Sequence, residues 1–269
     1  MAEHPARILS RLAGGSAMFC RLALLLCLAL SPLTSHAQTS DSGLGILGGG
    51  VTLAHAGGNT PISRLDAYLD TAITRHHGAQ LDFGLTRFPG HDDGRIALHL
   101  YMAPGGQAKY GVFAAYSDVN NHPASARSAG IEALWALGPR ALIEARAGIG
   151  TATGSNDFVF ASLRGQRAIT AQLTATARLG LIDLDEKARR HREIVAGLGL
   201  TYRLSQNLSL GFGVTHSHIT GRPALADDTS AHLTLTARFG TAATRLRAAP
   251  FSPIRPLTGL YARGALPIP

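Results

Sequence analysis

Cysteine is almost missing from this chain. The only two, Cys20 and Cys27, lie within the first 37 residues, a stretch that reads as a secretory signal. Leu22 to Leu30 form a short apolar run (LALLLCLAL), preceded by Arg7, Arg11 and Arg21 and broken by Ser31 and Pro32. Ser35-His36-Ala37 then offers the small residues that a signal peptidase reads. Met18 is an alternative start that gives a compact basic leader, and the mature chain is expected to begin at Gln38. Without those residues no cysteine remains, so disulfides, thiolate metal sites and a cysteine nucleophile are all excluded. Leu26 stands before Cys27 where a lipid-anchor signal needs a small residue.

Charge is also scarce. Only 16% of the residues are charged, against roughly a quarter in soluble domains. The signal carries three arginines and Glu3, so its removal leaves 22 basic and 16 acidic residues, net +6. An exported basic chain does not meet nucleic acid routinely; outer-leaflet lipid and lipopolysaccharide phosphates are its expected anionic partners. No second long apolar run follows the signal, which excludes a transmembrane helix. No phosphate-binding or dinucleotide fingerprint is present: Gly48-Gly49-Gly50 opens no helix. Asp183-Leu184-Asp185-Glu186 lacks the spacing of a calcium loop. His76-His77 and His216 with His218 have no partner set for a metal. No cofactor or metal is therefore expected.

What the chain has in quantity is glycine, 31 residues, and alternation. Leu65, Ala67, Leu69 and Thr71 alternate with Arg64, Asp66, Tyr68 and Asp70. Ala79, Leu81, Phe83 and Leu85 alternate with Gln80, Asp82, Gly84 and Thr86. Ala175, Ala177 and Leu179 alternate with Thr174, Thr176 and Arg178. Leu208, Leu210, Phe212 and Val214 alternate with Ser209, Gly211, Gly213 and Thr215. Leu233, Leu235, Ala237 and Phe239 alternate with His232, Thr234, Thr236 and Arg238. A period of two puts each set on one face of a strand. Twelve such runs lie near 49–55, 64–75, 79–88, 95–103, 108–117, 128–137, 141–150, 157–164, 168–181, 192–203, 207–218 and 230–240, with ten as the alternative count. The run at 157–164 is the weakest, because Asp157-Phe158-Val159-Phe160 alternates poorly. Short links (76–78, 104–107, 138–140, 165–167 and 205–207) interleave with longer ones (57–63, 89–94, 118–127, 183–191 and 219–229).

In strand number, strand length and link alternation the chain resembles a bacterial outer-membrane β-barrel, porin-like and without a more specific family. The resemblance covers Gly49 to Gly240, after a short linker at 38–48. It implies an all-β, closed, antiparallel up-and-down barrel in the outer membrane, structural or passing small solutes through a narrow lumen. Phe239 stands where such barrels place a terminal aromatic, but a Pro- and Arg-rich tail, 241–269, follows it and is expected to be disordered. A secreted soluble β-sandwich binding protein is the alternative fold.

The charged row gives the expected lumen lining: Asp66, Asp70, Asp82, His99, Glu132, Glu144, Arg146, Arg178, Glu193, Arg203 and Arg238. Pairing of these charges across a narrow bore is expected to fill it. Tyr101, Tyr110, Tyr116, Trp135 and Tyr202 near strand ends are expected to form an interfacial girdle. Gly197, Gly199, Gly211 and Gly213 form an inward patch that signals curvature or room for a solute. No catalytic residue is expected of a porin-like barrel. The enzyme alternative is a lipid-acyl esterase: outer-membrane lipid A deacylases and phospholipases pair a strand-end His with a Ser two residues on. His218 and Thr220 are similar in spacing and share one strand face, but Thr replaces Ser and the following Asn of the deacylase pattern is absent.

Overall fold

The computed structural model describes residues 45–120, 124–154, 156–185, 190–221, 225–240, 246 and 249–264. The signal and most of the linker lie outside the described residues.

Twelve strands form one closed sheet. They are β1 (Gly45–Gly57), β2 (Ile62–Ala72), β3 (His77–Phe88), β4 (His91–Gly105), β5 (Ala108–Val119), β6 (Ala124–Leu137), β7 (Ala141–Ala152), β8 (Asn156–Ala168), β9 (Leu173–Asp185), β10 (Arg190–Arg203), β11 (Leu208–Gly221) and β12 (Asp228–Gly240). Every strand pairs antiparallel with its chain neighbours, and β1 closes on β12 from Gly48↔Gly240 to Gly57↔Ala231. Closure leaves no unpaired edge, so every strand backbone has a ladder partner on both sides. The closed twelve-strand barrel expected from the alternation is therefore present, and the alternative, a sandwich of two open sheets, is ruled out.

The two faces are opposite in chemistry to those of a soluble protein. Outward rows expose Phe83, Leu98, Ile131, Ile149, Leu198 and Leu233, at 44–71% exposure. Inward rows bury Asp66, Gln80, His99, Lys109, Glu132 and Glu144. Soluble domains almost never bury charge and expose aliphatics in this way; a lipid-facing barrel does. Among the described residues no helix is long and apolar enough to cross a membrane.

Strands run further into the links than the sequence pattern suggests. The turn between β3 and β4 is only Pro89-Gly90, in which proline presets one dihedral and Gly90 takes φ +94°, a conformation that glycine adopts cheaply. The turn after β8 lies at 169–172, not at 165–167: Ala168 still pairs with Thr174 and Arg167 with Ala175. The poor alternation at 157–160 has a physical cause. Phe158 and Phe160 point inward, where the ring of Phe158 covers Gly150 and that of Phe160 covers Gly148 on β7. Aromatic cover of bare strand backbone replaces the polar lumen row there.

The expectation of a disordered tail fails for its described part. Residues 249–264, here called the strap, run inside the barrel and end in a short helix, α1 (Thr258–Ala262). Leu246 and Phe251 pack with Tyr101, Leu134 and Leu142 near the end of the barrel where the chain termini enter. Ile254, Leu257, Leu260 and Tyr261 pack with Phe88, Val119, Phe158 and Leu184 near the opposite end. Burying these side chains, each worth about 1.5–3 kcal/mol, is what holds a proline-rich segment without a sheet partner.

Candidate functional site

The strap lies against one wall of the lumen, and that wall reads its backbone. Gln80 on β3 makes a two-point contact with Phe251: its Nε2 donates to the Phe251 carbonyl (3.0 Å), and its Oε1 accepts from the Phe251 N–H (2.8 Å). Glu144 on β7 accepts from the N–H and the hydroxyl of Ser252, at 3.0 and 2.7 Å. Arg146 Nη2 donates to the Ser252 carbonyl at 2.7 Å, and Lys109 Nζ to the Ala249 carbonyl at 3.1 Å. Further along, Arg255 Nη2 lies 2.5 Å from Asp66 Oδ2, and Arg95 Nη1 donates to Thr258 at 3.1 Å. A buried backbone must find partners somewhere, and here lumen side chains supply them.

Behind this contact runs a continuous charged network. His99, fully buried, places Nδ1 2.6 Å from Glu132 and Nε2 3.2 Å from Asp82. Arg146 bridges Glu132 (2.7 Å) and Glu144 (3.1 Å). The ring of His99 stacks on Phe251 with centroids 5.7 Å apart. Tyr101 donates to Asp70 at 2.6 Å, and Lys109 Nζ sits 4.1 Å from the Tyr101 centroid. Of the expected lumen set, Asp66, Asp70, Asp82, His99, Glu132, Glu144 and Arg146 are thus brought together under the strap. Tyr101 belongs to this wall and not to the girdle. Tyr110, Tyr116 and Tyr202 do face outward, and Trp135 meets Tyr110 edge-on at 6.3 Å.

The opposite side of the lumen is open. A cavity of about 450 Å³ lies between the strap and the wall formed by β8 to β12, β1 and β2. Arg64, Arg164, Arg178, Arg238, Arg255 and His232 line it, and Asp66, Asp82, Glu144 and Glu193 also border it. Arg164 bonds the Ser252 hydroxyl at 2.7 Å and Arg178 the Thr215 hydroxyl. Among the described residues, Arg64, Arg178 and Arg238 have no carboxylate within 4.0 Å. The glycine patch forms part of this wall. The side chain of Arg178 lies over Gly197 and the ring of His232 over Gly213, so the missing Cβ atoms leave room for these side chains to lie flat beside the cavity.

Glu193 is also inward, but near the far end, where it accepts from Ser217 and faces Arg263 at 3.7 Å. A Cβ at Gly259 of α1 would collide with its carboxylate. Arg203 shares the inward parity yet ends β10 and is exposed at the rim, so it does not line the cavity. The expected lumen set lacks Arg64, Arg95, Lys109 and Arg164. Lys109 sits at the first alternation of its run, and Arg164 closes the weakly alternating run at 157–164.

His218 and Thr220 face outward, as does His216. His218 Nδ1 is 2.6 Å from Asp227, while the Thr220 hydroxyl donates to the Arg192 carbonyl at 3.4 Å. The structure brings His218 to a carboxylate rather than to the expected hydroxyl. No group of three or more metal-ligating side chains occurs among the described residues.

No protein-family model matches the chain, and no curated protein sequence matches it. Solved structures with the same fold include the NanC porin (TM-score 0.57, 7% identity, covering 70% of this chain and 98% of that one). An outer membrane channel from Pseudomonas putida F1 gives a TM-score of 0.55 at 10% identity, with 75% and 98% covered. The KdgM porin in complex with disordered oligogalacturonate gives 0.52 at 7% identity, with 71% and 99% covered. The chain therefore has the fold of bacterial outer-membrane β-barrels.

Proposed function

We propose that the protein is an outer-membrane channel that passes small anionic solutes along the arginine-lined side of its lumen. The observation that carries this reading is the exposure of charge inside the barrel. Asp66, Asp70, Asp82 and Glu144 are each 7% exposed or less at their side chains, whereas Arg164 is 37% exposed and Arg178 and Arg238 are exposed to the cavity. A passage lined by cations with low-dielectric walls concentrates anions. That a porin of this fold is known in complex with oligogalacturonate, a polyanion, agrees with the reading. The apolar belt meets outer-membrane lipid, and outward rim cations such as Arg127 and Arg190 face lipopolysaccharide phosphates. No cofactor is used and no bond is made or broken. The test is efflux from proteoliposomes of anionic, neutral and cationic solutes of matched size. Preferential loss of the anionic solute supports the proposal, and equal or absent efflux of all three rejects it.

A second reading rests on the His218–Asp227 contact. A carboxylate at Nδ1 orients an imidazole as a general base, and the pair faces outward near the rim, where lipid acyl esters are reachable. The hydroxyl of Thr220 is turned to a backbone carbonyl, which places this reading second. Fatty acid release from phospholipid or lipopolysaccharide that disappears in His218→Ala would promote it.

A further inference from the structure

The lumen wall carries charge of both signs, and the strap sorts them. Asp66, Asp70, Asp82, Glu132 and Glu144 all lie on β2, β3, β6 and β7, the side that the strap covers. The strap satisfies Glu144 through Ser252 and pairs Asp66 with Arg255. Phe251 stacks over His99, which sits between Asp82 and Glu132. Arg178 and Arg238 on β9 and β12 remain uncovered, Arg164 on β8 touches the strap only through the Ser252 hydroxyl and stays 37% exposed, and Arg255 adds a cation from the strap itself to the lining of the same cavity.

We infer that residues 249–264 are the selectivity element of the channel: by covering the acidic wall and adding Arg255, the strap turns a two-signed bore into an anion path. This rests on the reading of the barrel as an anion channel. Occlusion alone does not account for the arrangement. A plug that only narrowed the bore needs no preference between walls, whereas this one bonds Glu144 and Asp66, keeps the side chains of Asp66, Asp82 and Glu144 at 7% exposure although they border the cavity, and makes no polar contact with Arg178 or Arg238 among the described residues. Without it, Asp66, Asp82 and Glu144 face water together with the arginines, and the bore is wider and close to neutral in its preference.

The experiment uses the mature protein, which has no cysteine of its own, with Ser162→Cys as a single reporter on the cavity lining. Rates of modification by anionic and cationic methanethiosulfonates of matched size give a local charge preference that needs no ion flow. Reversal potentials in a KCl gradient across planar bilayers give the preference of the conducting path. Both are measured for the intact strap, for a chain ending after Arg247, and for Arg255→Gln, with a heat-modifiable gel band as the check that each is folded. The expected result is a faster anionic reagent with the strap intact. Loss of the strap brings the rate ratio severalfold down towards one, raises conductance and moves the reversal potential towards zero, and Arg255→Gln shifts both in the same direction by less. An unchanged ratio and potential in the shortened chain overturns the inference while leaving an anion-selective channel standing. A ratio that falls in a protein that never conducts supports the strap's role and removes the channel reading. If the shortened chain does not fold, Arg255→Gln decides: no shift in its ratio overturns the inference.

Discussion

Glu144→Ala should loosen the strap, and the size of the effect follows from three contacts. Glu144 accepts two hydrogen bonds from Ser252, at 3.0 and 2.7 Å, and pairs with Arg146 at 3.1 Å. Arg146 keeps both of its bonds to Glu132, at 3.0 and 2.7 Å, so the substitution strands no buried cation. The loss is therefore the two charge-assisted bonds to the strap, about 1.5–3 kcal/mol each. Water in the adjoining cavity can take over part of the exposed polar surface, which puts the total near the low end, about 3 kcal/mol. That is roughly a hundredfold in the equilibrium between docked and released strap. Ser252→Ala removes the hydroxyl's bond to Glu144 and the one it accepts from Arg164, whose partly exposed guanidinium returns to cavity water, and should shift the equilibrium about tenfold. Adding Arg146→Ala to Glu144→Ala removes the bond to the Ser252 carbonyl as well and should go further. Wild-type conductance in planar bilayers is expected to be small, with the fraction of time in a wider state rising in the order wild type, Ser252→Ala, Glu144→Ala, double variant. Equal records for all four, or a larger effect of Ser252→Ala than of Glu144→Ala, would refute the assignment of Glu144 as the principal anchor.

Other perturbations separate the faces and the candidate sites. Leu198 is 71% exposed on the outer face of β10, so Leu198→Arg should cost about 2–4 kcal/mol in bilayers, read as a lower urea midpoint of the heat-modifiable band. Ser162→Arg, on the cavity side of the wall, should leave that midpoint within about 0.5 kcal/mol. Phe160→Ala uncovers Gly148 and removes a buried ring, with an expected cost of about 3–5 kcal/mol. Neither wild type nor His218→Ala should release fatty acid from phospholipid. The intact protein should fractionate with outer membrane, need detergent, and migrate differently when boiled; identical migration would count against the membrane barrel.

The barrel was legible because one constraint acts on every strand. Lipid outside and a polar lumen inside force alternation in each of twelve segments, and a slip of one residue exchanges the faces. Where a different force acts, the pattern goes silent. Phe158 and Phe160 break the polar row because they cover glycines and pack against the strap. Gly165 resembles punctuation and points to a turn at 165–167, although β8 continues through it and turns at 169–172. Tyr101 has the inward parity of His99, and parity was the better guide than its position near a strand end. The strap was illegible for a deeper reason. Its apolar residues follow no period and its partners are side chains scattered over β2, β3, β4, β5, β7, β8 and β10, so nothing along the segment itself announces that it is bound. The clue lay elsewhere, in inward polar groups such as Gln80 and Lys109, which have to find partners inside a closed wall.

The sign of ion selectivity tests the account most directly. Wild-type protein in a planar bilayer, with KCl more concentrated on one side, should give a small conductance and a reversal potential of the sign set by chloride moving down its gradient, reduced in Arg178→Ala and Arg238→Ala. A cation-selective reversal potential, or one unchanged by removal of both arginines, would contradict it.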